Sequence, residues 1–216
     1  MFISEIFYSI QGEGNLAGTP AIFVRTGKCN LQCTWCDTKY TWHPDFSDYS
    51  EWPIKKVVQE AENLAKRNGC RHLVITGGEP MLQQEDVMKI RRDFPDFFIE
   101  METNGSVPNR MGEGVIDQFN ISPKLSNSGN RAYQLRLRAD NAIYKFVIDQ
   151  PSDLEEIESY VAAACLPREK VYLMPQGATR EELETRNSWV EKAARQRGFG
   201  FSPRLHIMKW GGKRGV

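Results

Sequence analysis

Residues 21–38 read Ala21-Ile22-Phe23-Val24-Arg25-Thr26-Gly27-Lys28-Cys29-Asn30-Leu31-Gln32-Cys33-Thr34-Trp35-Cys36-Asp37-Thr38. The first six residues form a short apolar run that predicts a strand over Ala21–Thr26. Directly behind it come three cysteines spaced C-x3-C-x2-C. A loop that short turns three thiolates onto one small object. Structural zinc usually takes four protein ligands, and the nearest other candidates, His43 and Cys70, lie outside the loop. Cysteine thiolates also hold iron–sulfur clusters. Three of them on a four-iron cluster leave one iron open to a further ligand.

Outward from this loop, short apolar runs alternate with helical stretches. Further strands are expected at His72–Thr76, Phe97–Glu102, Gln118–Ser122, Ile143–Ile148 and Val171–Met174, and helices at Pro53–Asn68, Gln83–Asp93, Ser152–Ala164 and Arg180–Arg197. Ile54, Val57, Val58, Ala61, Leu64 and Ala65 recur at helical spacing, and Ser152 with Glu155 has the form of a capping box. This alternation implies parallel βαβ units. Six units are fewer than the eight of a closed barrel, which takes roughly 250 residues. An α/β fold of the incomplete (β/α)6 type, a partial TIM barrel, fits the 216 residues, with an open doubly wound sheet as the alternative. No linker or repeat divides the chain, so residues 1–216 read as one domain with short N- and C-terminal extensions.

The unusual residues fall at strand ends. The cysteines follow the first strand, Thr76-Gly77-Gly78-Glu79-Pro80 the second, and Glu102-Thr103-Asn104-Gly105 the third. Ser122-Pro123-Lys124 follows the fourth, and Met174-Pro175-Gln176-Gly177 the sixth. Ligands in parallel α/β architectures bind at the carboxyl ends of the strands, so five motifs point to one pocket. Two glycines suit close approach of backbone to a ligand. Glu102 and Asn104 suit ribose hydroxyls or a methionyl group, with an Asn-Gly turn as the plain alternative. Lys124 suits a carboxylate. Ahead of the first strand, Gln11 and Glu13 offer an amide beside a carboxylate, able to read the donor edge of a 2-amino-4-oxopyrimidine ring. Arg25 suits a substrate carboxylate bidentately, or a surface ion pair.

Composition narrows the classes. With 28 basic and 28 acidic side chains there is no global field to attract nucleic acid. Aromatics between Asp37 and Pro53 lie among Asp45, Asp48 and Glu51, which argues against a base-stacking platform. No apolar run approaches the ~18 residues of a membrane span, and Met1–Glu5 lacks the basic start of a secretory signal. Three clustered cysteines among five fit a reducing compartment, so a cytoplasmic location is expected.

The cysteine spacing followed by Thr-Gly-Gly-Glu-Pro resembles the radical S-adenosylmethionine (SAM) enzymes. Together with Gln11-Gly12-Glu13-Gly14, Cys36-Asp37-Thr38, Glu-Thr-Asn-Gly and Ser-Pro-Lys, it resembles the 7-carboxy-7-deazaguanine synthases, from about Phe7 to the Arg204–Gly215 tail. The resemblance implies a [4Fe-4S] cluster on Cys29, Cys33 and Cys36, with SAM chelating the open iron. It implies SAM contacts from Trp35, Cys36, Asp37, Gly78, Glu79, Glu102, Ser122, Pro123, Lys124 and Gln176. Ile10, Gln11, Gly12, Glu13, Arg25, Thr76, His206 and Val216 would meet the substrate, 6-carboxy-5,6,7,8-tetrahydropterin. Thr38, by itself a turn residue, becomes a ligand of Mg2+. The implied reaction is a radical ring contraction with loss of ammonia, in 7-deazapurine (queuosine-type) biosynthesis. An external electron donor such as flavodoxin and a homodimer come with it. His43 and His72 read as structural. An activase for a glycyl-radical enzyme shares the cysteine spacing, and a zinc or electron-transfer module is the more distant alternative.

Overall fold

The computed structural model describes residues Met1–Val216. The first strand, β1 (Phe2–Ile10), pairs antiparallel with β2 (Pro20–Thr26), with a bulge between Ile3 and Glu5. A two-residue strand, β3 (Ser50–Glu51), covers the far side of β1. Then follow β4 (His72–Gly77), β5 (Phe98–Thr103), β6 (Gln118–Ile121), β7 (Ala142–Ile148), β8 (Val171–Pro175) and β9 (Gly200–Phe201). They form one sheet in the order β3-β1-β2-β4-β5-β6-β7-β8-β9, parallel from β2 onward. β3 and β9 are both edges, so the barrel stays open, as expected.

Each of the six expected strands is found within a residue or two, because parallel strands buried on both faces read as continuous apolar runs. β7 is buried at all seven positions. The sequence reading did not foresee β1. Its apolar residues are interrupted by Ser4, Glu5 and Ser9, and most of its positions are only half-buried.

The helices are α1 (Ile54–Asn68), α2 (Gln84–Asp93), α3 (Asp153–Ala163), α4 (Arg180–Gln196) and a short α5 (Leu205–Trp210). No helix is long and apolar enough to cross a membrane. Not all crossovers are helical: β5 to β6 has no helix, and β6 to β7 has only a 3-10 turn at Ser126–Ser128. Pro108, Gly112 and Gly114 in the first, and Pro123 and Gly129 in the second, break any helical run. One core of 38 buried residues runs between sheet and helices.

The expected cap of α3 is a correction. Ser152 has helical backbone (φ −64°, ψ −23°) and its side chain caps nothing. Asp153 instead ties the preceding turn, its Oδ2 accepting from Asp149 N–H at 2.8 Å and Gln150 N–H at 3.2 Å. The capping box is on α4 instead. Thr179 is extended (φ −122°, ψ 162°), and its hydroxyl and the Glu182 carboxylate bond each other's backbone N–H.

Candidate active site

The loop after β2 is fixed from two sides. Gly78 N–H donates to Thr26 O at 3.0 Å and Glu79 N–H to Lys28 O at 2.8 Å. A Cβ on Gly77 would stand 2.2 Å from Thr26 O, and one on Gly78 2.0 Å from Lys28 O. The two glycines let backbone approach backbone and seat the start of the cysteine loop on the end of β4, and both also line the cavity described below. From the other side, Gln32 N–H donates to Asn130 Oδ1 at 2.9 Å, Thr34 N–H to Ser128 O at 3.0 Å and Trp35 Nε1 to Asn127 O at 2.8 Å.

All five cysteines are free, and Cys29, Cys33 and Cys36 share one cavity wall. Each of these three sulfurs accepts one N–H: Cys29 from Leu31 N at 3.4 Å, Cys33 from Asn130 Nδ2 at 3.2 Å and Cys36 from Trp42 Nε1 at 3.3 Å. Burial, helped by Glu79, Cys33 and Cys36 and opposed by the Leu31 N–H, pushes the Cys29 thiol up to about 12. Burial raises the Cys33 thiol as well, so Cys29 and Cys33 are poor thiolates alone. A cationic iron–sulfur core among them would reverse that balance, so this trio fits a cluster.

The cavity holds about 300 Å³, the size of a small-molecule site. It gathers the strand-end residues Thr76, Gly78, Glu102, Ser122, Lys124 and Gln176, together with Trp35, Asp37 and Thr38. Lys124 Nζ donates to Ser122 Oγ at 2.6 Å, and burial lowers the lysine pKa. The one hydrogen-bond partner of Thr38 Oγ1 is Cys36 Sγ, at 3.6 Å, which leaves at least one lone pair for another partner.

Two expected SAM contacts lie off this wall. Glu79 has no exposed surface, and its carboxylate accepts from Met81 N–H at 2.9 Å, Thr103 Oγ1 at 2.8 Å and Asn104 N–H at 2.7 Å. It ties the turn after β4 to the turn after β5. Pro123 is buried beside the cavity and does not line it.

A polar wall lines the same cavity. Gln11 Nε2 donates to Glu100 Oε1 at 2.6 Å and to Glu102 Oε1 at 3.2 Å. Glu100 in turn meets His72 Nε2 at 2.8 Å, which gives His72 the structural place expected of it. Lys145 Nζ donates to Glu13 Oε2 at 2.5 Å and Glu102 Oε2 at 2.8 Å. Burial works against the Lys145 charge, but Glu102 and Glu13 outweigh it and hold the pKa above the usual lysine range. Arg204 bonds Glu13 Oε1 at 3.2 Å, the Gly177 carbonyl and Asp37. Burial alone would raise the Glu13 pKa; Lys145, then Arg204 and His206, hold it far below the carboxylate range.

Lys145 and Arg204 were not foreseen as site residues. A single lysine inside the apolar run 142–148 is the signal for the first, and none marks the second. His206 sits on Gly12, where a Cβ would meet its Nδ1 at 2.0 Å. Burial, aided by Arg204, lowers its pKa to about 4 against the pull of Glu13 and Asp37, so it is neutral near pH 7. Glu13, Asp37 and His206 offer ligand atoms within 4.8 Å of one another, but the Arg204 guanidinium already neutralises both carboxylates. Arg25 bonds Glu5 Oε1 through Nε at 2.8 Å, while the guanidinium still lines the cavity. Ile10 and Val216 line it too.

Residues 23–149 match the model of the radical SAM superfamily. The chain is 39% identical to a 7-carboxy-7-deazaguanine synthase of Pyrobaculum aerophilum, over 99% of this chain and 96% of that one. It belongs to that family, within the radical SAM superfamily. A synthase of Halobacterium salinarum is 36% identical over 96% of this chain and 90% of its own. Among solved structures, QueE from Escherichia coli aligns with a TM-score of 0.66 at 26% identity, covering 93% of this chain and 92% of that one. Streptococcus suis SuiB shares the fold alone, with a TM-score of 0.52 at 14% identity over 81% of this chain and 46% of its own. The chain is thus a radical SAM lyase of the synthase family, with a [4Fe-4S] cluster and SAM as cofactors.

Proposed function

We propose that this synthase converts 6-carboxy-5,6,7,8-tetrahydropterin to 7-carboxy-7-deazaguanine with loss of ammonia, with the cavity residues in the following roles. The observation that carries the reading is the meeting, in one cavity of about 300 Å³, of three N–H-bonded cysteines with a wall of matched buried charges. When bound, the reduced cluster and SAM supply a hydrogen-abstracting radical; the protein supplies orientation and exclusion of water.

Cys29, Cys33 and Cys36 hold the cluster. Lys124 faces the SAM carboxylate, and Glu102, steadied by Lys145, faces the ribose. Glu13 is kept ionised by Lys145 and Arg204 and accepts from the pterin amino and ring N–H groups. Neutral His206 donates or accepts one hydrogen bond beside it. Arg25, bonded to Glu5 through Nε, keeps its outer nitrogens for the substrate carboxylate. Thr38 offers an oxygen to magnesium, which completes its shell with waters and substrate oxygens. The product's place in 7-deazapurine biosynthesis, a flavodoxin-type donor, a homodimer and a cytoplasmic location accompany the family reading.

Anaerobic reconstitution with iron and sulfide, then dithionite, SAM, magnesium and the pterin, tests it by product mass. The expected product is 7-carboxy-7-deazaguanine. 5′-Deoxyadenosine without it would discard the pterin and keep the cofactors; sizing of the same sample tests the dimer.

A further inference from the structure

The turn Ser126–Asn130 and the side chain of Trp42 have no part in the roles above, yet both end on the cysteine loop. Asn130 Nδ2 lies 3.2 Å from Cys33 Sγ, and Trp42 Nε1 lies 3.3 Å from Cys36 Sγ. The donor to Cys29 is backbone and cannot be replaced by substitution.

Neither contact depends on an arbitrary choice of atoms. Asn130 Oδ1 accepts Gln32 N–H at 2.9 Å, so the amide nitrogen must be the atom turned toward sulfur. That nitrogen also lies 3.1 Å from Ser128 Oγ, which fixes the amide plane. Indole is a donor only, and the half-buried Trp42 ring offers its one N–H to Cys36.

Sulfur bound to iron carries more negative charge when the cluster is reduced. An N–H donor therefore favours the reduced form and raises the reduction potential. We propose that Asn130 and Trp42 are positioning residues that set the reduction potential of the cluster through their N–H bonds to Cys33 and Cys36. This rests on the reading of the three cysteines as cluster ligands.

Two substitutions remove the donors. Asn130→Asp keeps the shape and the acceptor for Gln32 N–H while turning the donor into an acceptor and adding a negative charge, so the neutral Trp42→Phe reads the lost N–H by itself. Trp42→Phe keeps an aromatic ring and removes the N–H. Reconstituted anaerobically, each is assayed for iron and sulfide, then titrated potentiometrically while the reduced cluster is followed by electron paramagnetic resonance. Both variants should carry the wild-type iron and sulfide content with a more negative midpoint potential, the larger shift in Asn130→Asp. At a fixed applied potential the reduced-to-oxidised ratio should fall about tenfold for each lost charge-assisted bond. A wild-type potential in a fully loaded variant overturns the role of that residue. Should Asn130→Asp fail to hold iron, Trp42→Phe decides alone, and a wild-type potential there overturns the proposal. A wild-type protein that forms no four-iron cluster under the same conditions instead overturns the cluster reading beneath it.

Discussion

Lys145 on β7 and Glu13 in the loop after β1 form a buried ion pair, Nζ to Oε2 2.5 Å, across 132 residues of sequence. Lys145 is also 2.8 Å from Glu102 Oε2, so one ammonium joins the two carboxylates. The lysine side chain is 2% exposed, so the pair is largely shielded from solvent.

Removing that ammonium leaves Glu102 without a charged partner and Glu13 with Arg204 alone. Lys145→Met should cost about 3–5 kcal/mol in urea unfolding, the usual cost of breaking a buried pair from one side. Adding Glu13→Gln should return part of that loss, because it removes one of the two carboxylates that lost the ammonium. Activity should fall by about a hundredfold in kcat/KM as Glu13 loses its position. A single variant as stable as wild type would show that the pair is not formed.

The acid limb of stability should begin with His206. Its folded pKa of about 4 lies below the ordinary 6.5, so the unfolded chain binds more protons between those values. Stability is then flat with respect to this group above pH 6.5 and falls as pH drops toward 4. With the side chain 30% exposed, the loss is at most about 3 kcal/mol. Glu13 adds to the fall below 4.5, because its folded pKa is depressed and its stabilising charge is lost as it is protonated. Urea melts of wild type and His206→Asn across this range check it: the variant should lose the slope between 6.5 and 4 and keep the steeper one below.

The parts legible in sequence are those carried by contiguous residues. Three cysteines in one loop and six apolar runs at regular intervals needed no knowledge of contacts. Lys145 and Arg204 act through partners 132 and 191 residues away from them, on Glu13, and no local pattern marks such a meeting. Glu79 is opaque for a related reason. Its motif identifies the turn but not the direction of the carboxylate, which turns inward to three donors. Ser152-x-x-Glu155 and Thr179-x-x-Glu182 look alike as strings. Only the backbone angle at the first residue separates the cap from the decoy.

That difference is measurable. Thr179→Ala should destabilise the protein by about 1 kcal/mol, the ordinary cost of a lost N-cap. Ser152→Ala should change stability by less than about 0.5 kcal/mol, as expected where no cap bond exists. Equal losses in chemical denaturation would contradict the assignment of the caps.

The glycines of the Thr76–Pro80 turn connect fold stability to cofactor loading. A Cβ at position 78 would stand 2.0 Å from the Lys28 carbonyl oxygen and 3.1 Å from Cys29 N, both backbone atoms that no side-chain rotation can clear. Something must shift, and the piece that gives is the start of the cysteine loop. It is held there by only two backbone bonds to this turn, Gly78 N–H to Thr26 O and Glu79 N–H to Lys28 O. Gly78→Ala should therefore cost about 1–3 kcal/mol as overpacking. It should also displace Cys29 relative to Cys33 and Cys36, which the Ser126–Asn130 turn holds from the opposite side. Iron and sulfide content per chain after reconstitution should fall well below wild type, in a protein whose far-ultraviolet circular dichroism is unchanged. Full cluster loading in a destabilised Gly78→Ala would instead show that the loop moves as one piece.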